Sequence, residues 1–193
     1  MSEDSKPDTP SATSQRGYLP GDLDGDELLA RMIRVDHAGE YGARRIYEGQ
    51  LAVLGRSACA PTLKHMHEQE LVHLRTFEDL MVRNQVRPTA LQPLWHVAGF
   101  ALGAATAMLG EKAAMACTVA VEEVIDEHYA SQAEQLGEDQ AALKETIETF
   151  RQEELEHRDI GLEHGAEETP GYELLSGAVK AGSRLAIWLS ERI

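Results

Sequence analysis

Apolar residues recur along most of this chain at intervals of three and four, and almost nowhere in the strict alternation of a half-buried strand. That spacing predicts six helical segments. The first opens at Asp24 or Asp26, both suited to cap a helix, and carries Leu29, Ile33, Val35, Ile46, Leu51 and Leu54 to a stop at Gly55. Pro61 and Thr62 open a second that runs to about Asn84, and Arg87-Pro88 then breaks the chain. Residues 89–110 form a third segment and 111–136 a fourth, stopped by Gly137. A fifth covers 139–162, with Gly161 and Gly165 as breakers, and a sixth covers 172–192 after Pro170. Short connections predict that consecutive helices pack antiparallel, up and down.

Four of these stripes are interrupted by acids. The second helix reads Leu63, Met66, Glu70, His73, Phe77, Leu80 at helical spacing, and the fifth reads Leu143, Ile147, Phe150, Glu154, His157, Ile160. Ile33, His37, Glu40, Tyr47 and Leu51 share one side of the first; Met115, Thr118, Glu122, Ile125 and Tyr129 share one side of the fourth. An unpaired buried carboxylate costs on the order of several kcal/mol, so acids placed this way need partners. Four glutamates and two neutral histidines carry four negative charges, which two divalent cations would balance.

A lone Glu-x-x-His is weak evidence, because an acidic helical chain with eight histidines produces such pairs as surface ion pairs. Two of them, each preceded by an in-line Glu, are a different matter. Glu40 precedes Glu70/His73 by 30 residues, Glu122 precedes Glu154/His157 by 32, and the two sets are offset by 82 to 84. This predicts a duplicated helix pair in which each half supplies Glu and then Glu-x-x-His. Residues at i and i+3 face the same way, so each Glu and His can reach one ion. The expected fold is all-α: a ferritin-like four-helix bundle built from the duplicated pair, over residues 27–193, with an additional apolar interfacial helix and a C-terminal helix. The expected ligands are Glu40, Glu70, His73, Glu122, Glu154 and His157, which suit iron or manganese better than tetrahedral zinc. Glu70 and Glu154 are the expected bridges, and Glu40 and Glu122 the terminal ligands.

Composition narrows the partners. A net charge of -15 argues against nucleic acid, which needs clustered cations. Aromatics are only 5%, which favours helix over sheet. Cys59 and Cys117 are too few for a disulfide scaffold and fit a reducing compartment. Residues 1–26, with six acids and two bases and no signal-like apolar run, are expected to be a disordered acidic leader. Residues 89–110 carry no Asp, Glu, Lys or Arg, while Pro93, His96 and several glycines make them a poor membrane span. Two alternatives remain for this stretch on apolarity alone: an interfacial helix or a buried core helix.

The runs IRVDHAGEYGA (33–43), VRPT (86–89), PLW (93–95), AMACTVAVEE (114–123) and EELEHRDIG (153–161) resemble the demethoxyubiquinone hydroxylase family of ubiquinone biosynthesis, over roughly residues 28–193. The resemblance implies a di-iron monooxygenase that uses O2 to hydroxylate the quinone ring of a polyprenylated precursor, with its ligand positions on the same six residues. The sequence has no dinucleotide or flavin motif, so no cofactor-binding residue is assigned and the electrons come from an external donor or from the reduced quinone itself; the resemblance links the reduction to NADH. A polyprenyl quinone substrate implies a membrane surface, met through residues 89–110 and the last helix. A lipid-binding helper protein and other ubiquinone-pathway enzymes are the implied partners. The implied location is peripheral, on the cytoplasmic face of a bacterial inner membrane or the matrix side of the mitochondrial one. Tyr129 and His128 are the catalytic candidates around the ligands, with Asp36, His37 and Asp159 as weaker ones. Iron storage, a manganese catalase and a non-enzymatic bundle are the rival functions.

Overall fold

The computed structural model describes residues 25–193, and every regular element among them is helical. The leader expected over residues 1–26 lies outside this range except for its last two positions, which already belong to the first helix. The helices are α1 (Gly25–Leu54), α2 (Ala60–Asn84), α3 (Gln92–Met108), α4 (Glu111–Gln135), α5 (Ala141–Glu163) and α6 (Tyr172–Ser190). Short 3-10 turns at Glu138–Gln140 and Ala166–Glu168 lead into α5 and follow it. Pro61 sits in the first turn of α2, where a missing N–H costs nothing. Gln85 ends that helix in the left-handed region, its N–H directed to the Met81 and Val82 carbonyls.

The expectation that each helix packs on the next holds for three of the five steps and fails for two. α1 lies against α2, α4 against α5, and α3 more lightly against α4. α3, however, folds onto α1 rather than α2, and α6 onto α4 rather than α5. The α1/α3 seam is close because it is built on glycine: a Cβ on Gly103 would collide with the Ile46 carbonyl, and one on Gly49 with the Phe100 carbonyl. α6 is held differently. Val179 is buried, and Lys180 and Arg184 pair with Glu123 and Glu127 of α4.

Every residue from 113 to 122 on α4 is buried, which explains its run of small residues: other helices surround it. Two apolar layers result. Leu63, Met66, Met115 and Val119 form one, and Phe77, Ile125, Ile147 and Phe150 belong to the other. Along α2, α4 and α5 the acids fall between them.

One expectation about a glycine needs correction, and one of the two alternatives for α3 falls away. Gly161 does not end α5 but lies within it, where a Cβ would stand 2.7 Å from Val119 Cγ2; it permits close contact with α4. Nor is α3 a buried core helix. It buries only Gly103, Thr106 and Ala107, while Leu94, Val97 and Met108 are more than half exposed. No described helix is long and apolar enough to cross a membrane.

Candidate metal centre

Glu40 on α1, Glu70 and His73 on α2, Glu122 on α4, and Glu154 and His157 on α5 all point into the bundle, none more than 1% exposed. They form two overlapping groups. Ligand atoms from Glu40, Glu70, His73 and Glu154 all lie within 4.8 Å of one another, and so do those from Glu70, Glu122, Glu154 and His157. Glu70 and Glu154 belong to both. His73 Nδ1 lies 3.1 Å from Glu154 Oε1 and 3.4 Å from Glu40 Oε2. His157 Nδ1 lies 3.2 Å from Glu154 Oε2 and 3.3 Å from Glu70 Oε1.

The donors fit a metal. Both oxygens of Glu70 and of Glu154, one each of Glu40 and Glu122, and both histidine Nδ1 atoms are buried without a well-formed hydrogen bond. Buried polar atoms are normally satisfied, and leaving one unsatisfied costs about 1–3 kcal/mol. A cation among carboxylate oxygens and imidazole nitrogens would satisfy all of them at once, so this cluster can hold metal.

Without metal, protons take that role. Burial, reinforced by neighbouring carboxylates, drives Glu70 and Glu122 well above the usual carboxylate range. Burial works against a charged His73, yet Glu154 and Glu40 beside it hold the imidazole up at about 12. His157 is raised in the same way, against burial, by Glu154 and Glu122. Glu154 is itself held down at about 2, because the two imidazoles outweigh its burial. Metal must therefore displace protons to bind.

A second layer orients the first. Tyr129 donates to Glu40 Oε1, and Tyr47 donates to Glu122 Oε1 at 2.9 Å. Each tyrosine stands seven residues after the glutamate of its own helix and bonds the glutamate of the other. The sequence marks Tyr129 as a candidate; Tyr47 looks there like part of an apolar stripe, although the same seven-residue offset marks it. Glu153 contacts the outer nitrogen of His73 and Gln69 that of His157. His128 stands outside the six, with its Nε2 3.3 Å from Asp36 Oδ1, and Gln132 donates to the same oxygen at 2.7 Å. Asp36 is buried, and burial raises its carboxyl above the usual range. His37 is buried beside Tyr41 and belongs to neither group. Asp159 is corrected outright: it is exposed and paired with Arg158 at 2.6 Å, pointing away from the centre.

A cavity of about 420 Å3 opens beside the cluster. Ile46, Trp95, Leu102, Val121, Ile125 and Ile187, from α1, α3, α4 and α6, give it an apolar wall, and Glu40 and Tyr129 form part of it. Trp95 Nε1 donates to Ser190 Oγ at 3.0 Å and Thr89 Oγ1 to the Ile193 carbonyl at 2.6 Å, tying the start of α3 to the end of α6.

Fold and centre together define the class: a ferritin-like helical bundle with an internal Glu/His cluster able to hold metal. Residues 27–190 match the family described as Ubiquinone biosynthesis protein COQ7, and the chain belongs to that family. It is 62% identical over 176 residues to the 3-demethoxyubiquinol 3-hydroxylase of Rhodospirillum rubrum, covering 91% of this chain and 83% of that protein. It is 57% identical to the human NADPH-dependent 3-demethoxyubiquinone 3-hydroxylase, mitochondrial, over 84% of this chain and 77% of that one. The 5-demethoxyubiquinone hydroxylase, mitochondrial, of Saccharomyces cerevisiae is 42% identical over 86% and 78%.

Proposed function

We propose that the chain is a di-iron monooxygenase that hydroxylates the ring of a polyprenylated demethoxyubiquinol or demethoxyubiquinone with O2, a late step of ubiquinone biosynthesis. The observation that carries this reading is the pairing of two overlapping four-residue metal groups with an apolar cavity that reaches one of their glutamates. Glu40, Glu70, His73, Glu122, Glu154 and His157 would hold the irons, Glu70 and Glu154 being the residues common to both groups. Bound iron supplies O2 activation and the electron chemistry of hydroxylation.

The chain's own residues set the conditions for that chemistry. The apolar wall takes the ring and the first part of the tail and excludes water. Glu40 and Tyr129 face that volume, so the ring is presented from the α1/α4 side. The phenol of Tyr129 fixes one oxygen of Glu40, and that of Tyr47 fixes one of Glu122. Burial keeps both phenols protonated, well above the usual range, so both remain donors. His128 borders the same cavity, where it stands against Asp36.

The electron donor is external and of the reduced nicotinamide class. The family resemblance points to NADH, whereas the human relative is named NADPH-dependent. The exposed apolar residues Leu94 and Val97 of α3 and Leu174, Leu185 and Trp188 of α6 dock the enzyme on a membrane surface. The cavity between these two helices then faces the bilayer that carries the substrate. The same face accepts the lipid-binding helper and the other pathway enzymes. The site of action is the cytoplasmic face of a bacterial inner membrane, or the matrix side of the mitochondrial one.

Lipid analysis of cells lacking the protein tests the function. A demethoxy quinone should accumulate, and the wild-type chain should clear it while a Glu154→Ala copy does not. Normal quinone in the deleted cells would overturn the proposal.

A further inference from the structure

The two imidazoles of the centre are held from behind by different groups. His73 Nε2 lies 2.5 Å from Glu153 Oε2, a carboxylate. His157 Nε2 lies 3.1 Å from Gln69 Oε1, an amide oxygen. Otherwise the two contacts are one construction used twice. Each acceptor stands four residues before the histidine of its own helix and reaches across to the histidine of the other. In both rings Nδ1 faces the cluster, so Nε2 carries the proton and donates outward.

The inner donor lists do not break this equivalence. Glu40 serves one group and Glu122 the other, each with a tyrosine on one oxygen, and Glu70 and Glu154 are common to both. Among the groups that accept the outer N–H of each imidazole, the difference is position 153 against position 69. A carboxylate that accepts the outer N–H places negative charge against the ring and makes Nδ1 a stronger metal donor; a neutral amide does so far less.

Resting on the reading of the six residues as ligands of two ions, we propose that Glu153 and Gln69 are positioning residues that make the two metal positions unequal. The position at His73 and Glu40 fills first and holds its ion tightly. The position at His157 and Glu122 fills second and exchanges its ion more readily. The tighter position is also the one whose glutamate borders the apolar cavity.

Titration of the metal-free full chain with Co(II), read by its visible ligand-field bands and by competition with a coloured chelator, tests this. Wild type should fill in two steps separated by about 10- to 100-fold in affinity, the usual size of outer-layer effects on metal ligands. Glu153→Gln should weaken the first step by a similar factor, so that the two steps merge. Gln69→Glu should instead tighten the second step and shift the bands of that position, a gain that damaged packing cannot produce. Thermal unfolding of the metal-free variants confirms that they fold. Two ions bound with equal affinity, or unmoved by either substitution, would overturn this inference alone. No uptake by wild type would overturn the metal reading along with it.

Discussion

The halves α1–α3 and α4–α6 place matching residues at the centre and unlike ones at the periphery. Each contributes a Glu, a Glu-x-x-His and a tyrosine seven residues after the first Glu, and each tyrosine bonds across to the other half. Their outer helices are attached by different means. α3 meets α1 backbone to backbone through glycine, with Arg45 and Tyr41 reaching over to His96. On α6, by contrast, a Cβ added at Gly177 or Gly182 would meet nothing within 4 Å, and Lys180 and Arg184 bridge to α4. The contrast shows what each layer must supply. The centre requires a few atoms in fixed places, so its pattern recurs. The outer helices need only close a cavity between them, and that can be done in unlike ways. The cavity itself is one-sided, bordering Glu40 and Tyr129 but not Glu122 and Tyr47.

The largest effect should come from the residues common to both metal groups. Glu154→Ala should lower bound iron from two per chain to below one and bring hydroxylation to background; two irons retained would contradict the sharing. Next comes the seam of the first half. Gly103→Val forces a side chain into the Ile46 carbonyl and should cost about 3 kcal/mol or more of unfolding free energy in a denaturant titration, at the upper end of overpacking effects. Its opposite in α6 is Gly177→Ala, where nothing lies within 4 Å of the added carbon. That change should stabilise by up to about 1 kcal/mol, from helix propensity alone.

Within the centre, the two tyrosines should separate metal binding from turnover. Tyr47→Phe and Tyr129→Phe each remove a hydrogen bond to a buried carboxylate and should weaken metal binding alike, by about 10-fold or more. Only Tyr129→Phe should also lower kcat/KM once metal is saturating, because only Tyr129 borders the cavity. Equal loss of kcat/KM in both would remove the one-sidedness.

A smaller effect concerns pH. In the metal-free fold His73, His157, Glu70 and Glu122 all hold protons more tightly than in the unfolded chain. A raised group favours the fold below its unfolded value and loses that contribution as pH climbs toward its folded one. The loss begins above about 4.5 for the carboxylates and above about 6.5 for the imidazoles, reaching toward about 12 for His73. Glu154, held at about 2, opposes this only below its ordinary value near 4.5. Metal binding strengthens over the same rise, since fewer protons compete. The melting temperatures of loaded and metal-free protein should therefore diverge from pH 5 to pH 8. At a metal concentration 100-fold above Kd the gap should be about 5–10 °C. A gap that narrows would contradict the assignment.

The helices and the six inward donors were legible because a charge on an apolar stripe contradicts its surroundings and demands an explanation. Tyr47 offered no such contradiction, since an aromatic on an apolar face looks like core. Glu153 was hidden in an acidic run, where only the distance to His73 on another helix gives it meaning. The glycines of α3 are visible in the sequence, but their use in closing against α1 depends on a partner more than 40 residues away. Gly161 misled for the same reason: a helix stop and a helix contact require the same missing side chain. The cavity is a property of four helices together and has no local signature.

Two ions that share Glu70 and Glu154 would stand next to each other inside the bundle. Anomalous diffraction at the iron edge from crystals of the iron-loaded chain tests that sharing most directly. Two peaks are expected, one among Glu40, Glu70, His73 and Glu154 and the other among Glu70, Glu122, Glu154 and His157. A single peak, or iron bound away from these six residues, would contradict it.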